Sequence, residues 1–265
     1  MIEPLVDDLS YEVRGEPSCG TVLVLGCDGS YPGPGGACSG YLVRTGGTTV
    51  WLDAGPGTFA NLQRLADPAD VDAVVLTHEH PDHWTDFESY VVWARLTDHP
   101  RPAPVFAPPG LRRRSYFADD PAVDWRLTVP DQEVEIGDLS LRFAATDHGP
   151  PTLAVRFDSR LASSERPADQ ALAYSADTGP EWSVESLGWG IGTFVCEASF
   201  DRSHEGREGH LSGHQAGSMA ADADVVRLVL THRWPTVDAG TVADEAASRF
   251  GSPVATAEVG KVILW

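Results

Sequence analysis

The sequence predicts a mixed β-sheet sandwich covered by helices, and two observations carry that reading. Short apolar runs rich in Val, Leu and Thr are broken every ten residues or so by Gly, Pro and Asp, the punctuation of strands and turns. Strands dominate the first half, whereas helices alternate with strands in the last third, an order that does not fit a simple doubly wound sheet.

The elements follow in chain order. Thr21 to Leu25 is a strand, and Gly26 to Gly40 is a Gly-rich loop. That loop lacks the GK[ST] ending of a phosphate-binding P-loop and the spacing of a dinucleotide fingerprint, so it is expected to rim a site. Tyr41 to Arg44 and Thr48 to Leu52 form a hairpin about Gly46-Gly47. Further strands are expected at Asp72 to Thr77, Val105 to Ala107, Val134 to Ile136, Leu139 to Ala144, Thr152 to Phe157, Ala171 to Tyr174, Thr193 to Cys196, Val225 to Leu230 and Val259 to Leu264. Helices are expected at Ser212 to Ala223 and Ala239 to Phe250. Asp98 to Arg114 and Ser159 to Gln170 read as surface connections. No linker or repeat divides the chain, so residues 1–265 are expected to form one domain.

Charge narrows the partners. The chain of 265 residues has 39 Asp and Glu against 19 Lys and Arg, a formal net charge of −20. Such a surface repels a polyphosphate, so extended nucleic acid is not expected as a partner. Cys19, Cys27, Cys38 and Cys196 have neither the spacing of a zinc ribbon nor the density of a disulfide scaffold, which points to a reducing cytoplasm. The first residues carry no basic and apolar leader pattern, and no run approaches the ~18 apolar residues of a membrane span.

The chemistry concentrates in Asp72-Ala-Val-Val-Leu-Thr-His78-Glu79-His80-Pro81-Asp82-His83, an apolar strand that ends in three histidines and two nearby carboxylates. Imidazole and carboxylate are the donors that a borderline cation such as zinc takes, and a strand end presents them on rigid backbone. Strand alternation sends His78 and His80 the same way, and the turn at Pro81 offers Asp82 and His83 to a second position. A metal site needs more ligands than one loop supplies, and three later strands end on a suitable residue: His148, Asp177 and His232.

This ordered set resembles the metallo-β-lactamase-fold hydrolases along nearly the whole chain. Within them it is most similar to the ribonuclease Z and cyclic-nucleotide phosphodiesterase branch, through LGCDGSYPGPGGACSGYLV, WLDAGPG, YSADTG, CEASF, GHLSGHQAG and LTHRWP. Its pattern looks most like the atypical cyclic-AMP phosphodiesterases of actinobacteria. The resemblance implies a four-layer αββα sandwich of two mixed sheets flanked by helices. It implies two Zn2+ ions, with Mn2+ or Fe as alternatives: His78, His80 and His148 hold one, Asp82, His83 and His232 the other, and Asp177 bridges them. A zinc-bridged hydroxide is then the expected nucleophile.

Asp53 ends the strand Val50 to Asp53, where the resemblance places a carboxylate that orients a metal-bound histidine. His210 is the implied proton donor, oriented by Glu197, with His214 one helical turn away as its rival. Cys196, Leu211 and Ser212 depart from the ribonuclease pattern of His, Ser and Thr, which bears on RNA processing rather than on the ligands. The interval from His148 to Asp177 is too short for the RNA-gripping arm of a tRNA-processing enzyme.

Other features read two ways. Trp84, Phe87, Trp93 and Trp234 serve either as a pocket wall or as core. The run Arg112 to Arg114 is a solvated face, and His99 and His204 lie in exposed loops. The expected function is a cytoplasmic dinuclear metal-dependent phosphodiesterase acting on a small phosphodiester such as a 3′,5′-cyclic nucleotide. Hydrolysis of a lactone, β-lactam or thioester on the same fold, or ribonuclease Z-like processing, is the alternative. Dimers are common in the branch, so the resemblance is compatible with a homodimer, while the sequence itself leaves the oligomeric state open.

Overall fold

The computed structural model describes residues 5–6, 20–97, 102–161, 171–206 and 209–265. Among them the chain forms, in order, β1 (Leu5–Val6), β2 (Thr21–Gly26), β3 (Gly40–Thr45), β4 (Thr48–Leu52), α1 (Thr58–Leu65), β5 (Ala73–Val75), α2 (Asp86–Leu96), β6 (Val105–Ala107) and β7 (Trp125–Leu127). The second half gives β8 (Glu133–Ile136), β9 (Leu139–Ala145), β10 (Leu153–Ser159), β11 (Ala171–Tyr174), β12 (Ile191–Glu197), α3 (Gly213–Asp222), β13 (Arg227–Thr231), α4 (Ala239–Phe250), β14 (Ala255–Thr256) and β15 (Val262–Leu264).

Two mixed sheets result. The first runs β1-β15-β2-β3-β4-β5-β6-β7, antiparallel up to β4 and parallel beyond it. The second runs β14-β13-β12-β11-β10-β9-β8, antiparallel from β8 to β11 and parallel from β11 to β14. Each sheet is therefore an antiparallel meander that turns into βαβ crossovers, and the crossovers lay helices on its outer face.

Alternation along each strand explains the four layers. Val22, Val24, Tyr41, Val43, Val50 and Leu52 face inward to a core shared with Leu141, Phe143, Val155, Tyr174 and Val229 of the second sheet. Their neighbours Leu23, Leu25, Leu42 and Trp51 face outward beneath α1 and α2, while Phe194, Leu228 and Leu230 lie beneath α3 and α4. Strands buried on both faces read as continuous apolar runs rather than as alternating ones. This is the αββα sandwich, and no helix of the described residues is long and apolar enough to cross a membrane.

Some elements differ from the sequence reading. Helix α2 buries Phe87, Tyr90, Val91 and Ala94, an i, i+3, i+4, i+7 stripe under the first sheet. Trp84, Phe87 and Trp93 thus belong to the outer core and not to a pocket wall. Helix α1 and strands β7 and β14 also form where none was expected. Ser212 caps α3 in a capping box with Gln215. The reading of Cys19 and of His99 falls outside the described residues, as does most of Ser159 to Gln170. Cys27, Cys38 and Cys196 are free thiols.

Candidate metal centre

In open sheets the carboxyl ends of parallel strands bound a natural crevice. Asp53 follows β4 there, and the turn His78 to His83 follows β5. Pro81 opens a short 3-10 turn over Pro81–His83, which swings Asp82 and His83 back beneath His78. His78 and His83 are fully buried, with ring centroids 4.2 Å apart. Asp53, held at a left-handed φ of 52°, brings Oδ2 to 2.7 Å from His83 Nδ1. The same carboxylate accepts hydrogen bonds from Thr77 N at 2.9 Å and from the Thr77 and Tyr174 hydroxyls at 3.0 Å each. A carboxylate behind an imidazole fixes its tautomer and leaves Nε2 for a ligand role.

The second sheet supplies one residue per strand end. His148 follows β9, and its Nδ1–H donates to the Gly209 carbonyl at 2.8 Å. Asp177 follows β11, with Oδ2 at 3.5 Å from His78 Nε2 and 3.9 Å from His148 Nε2. Its other oxygen, Oδ1, is 3.1 Å from His83 Nε2 and 3.3 Å from His232 Nε2. His232 follows β13 at a φ of 53° and places Nε2 3.2 Å from Asp82 Oδ2. Three donor clusters result: His78, His80, His148 and Asp177; Asp82, His83, Asp177 and His232; and, beside the second, Glu197, His210 and His232. Within each, the donor atoms lie within 4.8 Å of one another.

The donor set fits divalent ions. His78 Nε2, His83 Nε2 and Asp177 Oδ1 are buried without an aligned hydrogen-bond partner, a costly state for polar atoms that a coordinated cation relieves. Burial, reinforced by the charge of His83, lowers the His78 imidazole to about 4, so it stays neutral as a ligand must. Burial opposes ionisation of Asp177, but His232, His83 and His78 outweigh it and hold the carboxyl well below its usual range. Asp82 is lowered in the same way, by His83 and His232 against burial.

Beside the first cluster opens a cavity of about 870 Å³, lined by His80, Thr146, His148, Gly209, His210 and Gln215 among others. His210 Nδ1 lies 3.0 Å from Oε1 of the buried Glu197 at the end of β12. Glu197 is itself held by the Thr178 amide at 2.8 Å, the Leu211 amide at 3.2 Å and the Ser199 hydroxyl at 2.8 Å. Burial pulls the His210 imidazolium down, yet the charge and hydrogen bond of Glu197 prevail and push its pKa up to about 9. His214 instead pairs with Glu205 at 3.1 Å and lines an adjoining hollow with Trp182 and Met219.

Residues 48–233 match the beta-lactamase superfamily domain. The chain belongs to the metallo-β-lactamase-fold superfamily. An uncharacterised Mycobacterium tuberculosis protein is 35% identical to it over 249 residues, 88% of each chain. Ribonuclease Z of Mycobacterium avium is 31% identical over 256 residues, covering 83% of this chain and 88% of its own. The crystal structure of YhfI, a metallo-β-lactamase-fold protein of Bacillus subtilis, shares the fold with a TM-score of 0.83 at 23% identity, over 94% of this chain and all of that one.

Within this superfamily frame, several supporting residues escape a reading by motif. Ser30, in the Gly-rich loop, donates its amide to Asp82 Oδ2 at 2.9 Å. Gly29 lets that loop approach, since a Cβ there would stand 2.2 Å from the His232 carbonyl oxygen. Thr77, Tyr174 and Ser199 brace candidate ligands or their partners, and their one sequence signal is adjacency to the strand ends that bear those residues. Arg112 to Arg114 form an exposed turn, from which Arg114 pairs with Glu79 at 2.8 Å. His204 is half-buried, paired with Asp201 and set against Phe200 and Trp234.

Proposed function

We propose that the protein is a dinuclear metal-dependent phosphodiesterase acting on a small phosphodiester, with a 3′,5′-cyclic nucleotide as the substrate to test first. His78, His80 and His148 would hold one ion, Asp82, His83 and His232 the other, and Asp177, with Oδ2 facing His78 and His148 and Oδ1 facing His83 and His232, would serve both. Zinc suits this nitrogen and oxygen set, and manganese or iron suits it as well. Two such ions, when bound, supply an activated water and positive charge against the charge that develops on phosphorus oxygens.

The observation that carries the reading is the His210–Glu197 pair opening on the same cavity as His80 and His148. An alkoxide leaving a phosphodiester needs a proton donor, whereas the thiolate leaving a thioester does not; lactones and β-lactams share the need, and the assay below separates them. Glu197 occupies Nδ1 of His210, so the proton to be delivered is the one on Nε2. Asp53 and the Gly209 carbonyl keep His83 and His148 from turning, and Ser30 N–H holds Asp82 in place. Charge supports small over large: at −20 the surface repels a long polyanion, while the ions outweigh Asp82 and Asp177 locally.

Ribonuclease Z among the relatives supports RNA processing as a second reading. A paired assay of the zinc-loaded protein decides among the readings. Cyclic AMP and bis(p-nitrophenyl) phosphate are expected to be cleaved. Turnover confined to nitrocefin or an acyl-homoserine lactone, or to a tRNA precursor, would overturn the proposal.

A further inference from the structure

The bracing of the histidines repeats across the two sheets. In the first half, the Thr77 hydroxyl donates to Asp53 at 3.0 Å, and its oxygen lies 3.1 Å from His78 Nδ1. In the second, the Ser199 hydroxyl donates to Glu197 Oε2 at 2.8 Å, and its oxygen lies 3.1 Å from His232 Nδ1. Each relay runs carboxylate, hydroxyl, imidazole. Ser199 has a further contact, because its oxygen also stands 3.3 Å from His210 Nδ1.

A serine hydroxyl has one proton and two lone pairs. Two acceptors compete for the proton, Glu197 Oε2 at 2.8 Å and the His232 carbonyl at 3.1 Å. The shorter contact, to a carboxylate, takes it. The lone pairs are then left for ring N–H groups. His232 accordingly carries its proton on Nδ1 and keeps a lone pair on Nε2, the atom 3.2 Å from Asp82 and 3.3 Å from Asp177. His210 Nδ1–H goes chiefly to Glu197 Oε1, at 3.0 Å, with Ser199 as its second acceptor.

We propose that Ser199 is a positioning residue that joins the metal-holding and proton-donating parts of the site: one hydroxyl sets the tautomer of His232 and holds Glu197 in line with His210. The proposal rests on the reading of His232 as a metal ligand, and it is independent of which substrate is cleaved. Ser199 is buried, so its hydroxyl exchanges these partners for no solvent.

The test compares wild type, Ser199→Ala and Ser199→Thr by zinc titration against a chromophoric chelator and by 15N NMR of the histidine rings. Ser199→Ala is expected to weaken one of the two zinc sites by about 10–100-fold, as loss of a partner behind a metal ligand does. The His232 ring signal should shift away from the Nδ1–H form, and Ser199→Thr should restore both readouts. Should the alanine variant fail to melt cooperatively, Ser199→Cys, nearly isosteric but a weak acceptor, provides the same comparison. Two wild-type zinc affinities together with an unchanged His232 tautomer in the hydroxyl-free variant would overturn the proposal. Both readouts are made without substrate, so a protein that cleaves no phosphodiester defeats the proposed function alone, and unaltered zinc affinities with an unchanged His232 tautomer defeat this inference alone.

Discussion

The first sheet delivers His78, His80, Asp82 and His83 from a single turn after β5, whereas the second delivers His148, Asp177 and His232 one at a time, from the ends of β9, β11 and β13. The first arrangement is local. Its geometry follows from one 3-10 turn and the carboxylate of Asp53 on the adjoining strand. The second depends on register, with Tyr174 beside Val195, Val195 beside Val229, and Glu197 beside Thr231. A slip of one residue there would turn every side chain to the opposite face. The compact half can therefore be specified by a motif, while the dispersed half is specified by a sheet. The dispersed half also carries the His210–Glu197 pair proposed as proton donor, so the proposed chemistry beyond metal binding concentrates where topology does the placing.

Variants separate the two halves. The largest effect is expected at the joint between them: Asp177→Ala should lose at least one ion per chain and nearly all turnover. Metal analysis by plasma emission checks this together with steady-state rates, and full turnover with two bound ions would show that Asp177 does not bridge. His210→Ala touches only the dispersed half and should leave metal content intact. Its turnover should fall by about 10²–10⁴-fold on substrates with alkyl leaving groups and by less on p-nitrophenyl esters. Equal losses on both substrates would remove the proton-donor role. Asp53→Asn touches the compact half, where it removes the carboxylate behind His83 and Thr77. Zinc affinity should drop by roughly 10–100-fold with turnover at saturating zinc less affected, which a chelator titration followed by assay in excess zinc resolves.

The same contrast governs what was legible in the sequence. The turn His78 to His83 stands out because its donors are adjacent in a line of text, and few structural roles explain that density. His148, Asp177 and His232 are visible only as polar residues closing apolar runs, and their convergence comes from strand order. The sandwich was legible because strands buried on both faces leave short, uninterrupted apolar runs bounded by Gly, Pro and Asp. Helix α2 was less so, since Phe87 and Trp93 stand close in sequence to the candidate ligands and aromatic residues there suit a pocket wall as well as a core. Thr77 and Ser199 were invisible for a different reason. A hydroxyl in a strand is common, and its role depends on which carboxylate lies across the sheet.

Strand β15, at Val262–Leu264, lies between β1 and β2 in the first sheet and pairs antiparallel with both. Strand β2 thus finds its outer partner only far along the sequence, at Val262–Leu264. Until then β2 presents an unpaired apolar edge, the kind that invites pairing with another chain. Contacts of such sequence separation close late and slow the folding reaction. During synthesis, then, the half that holds the His78–His83 turn waits on β15, and chaperone capture before residue 262 emerges would act on β2.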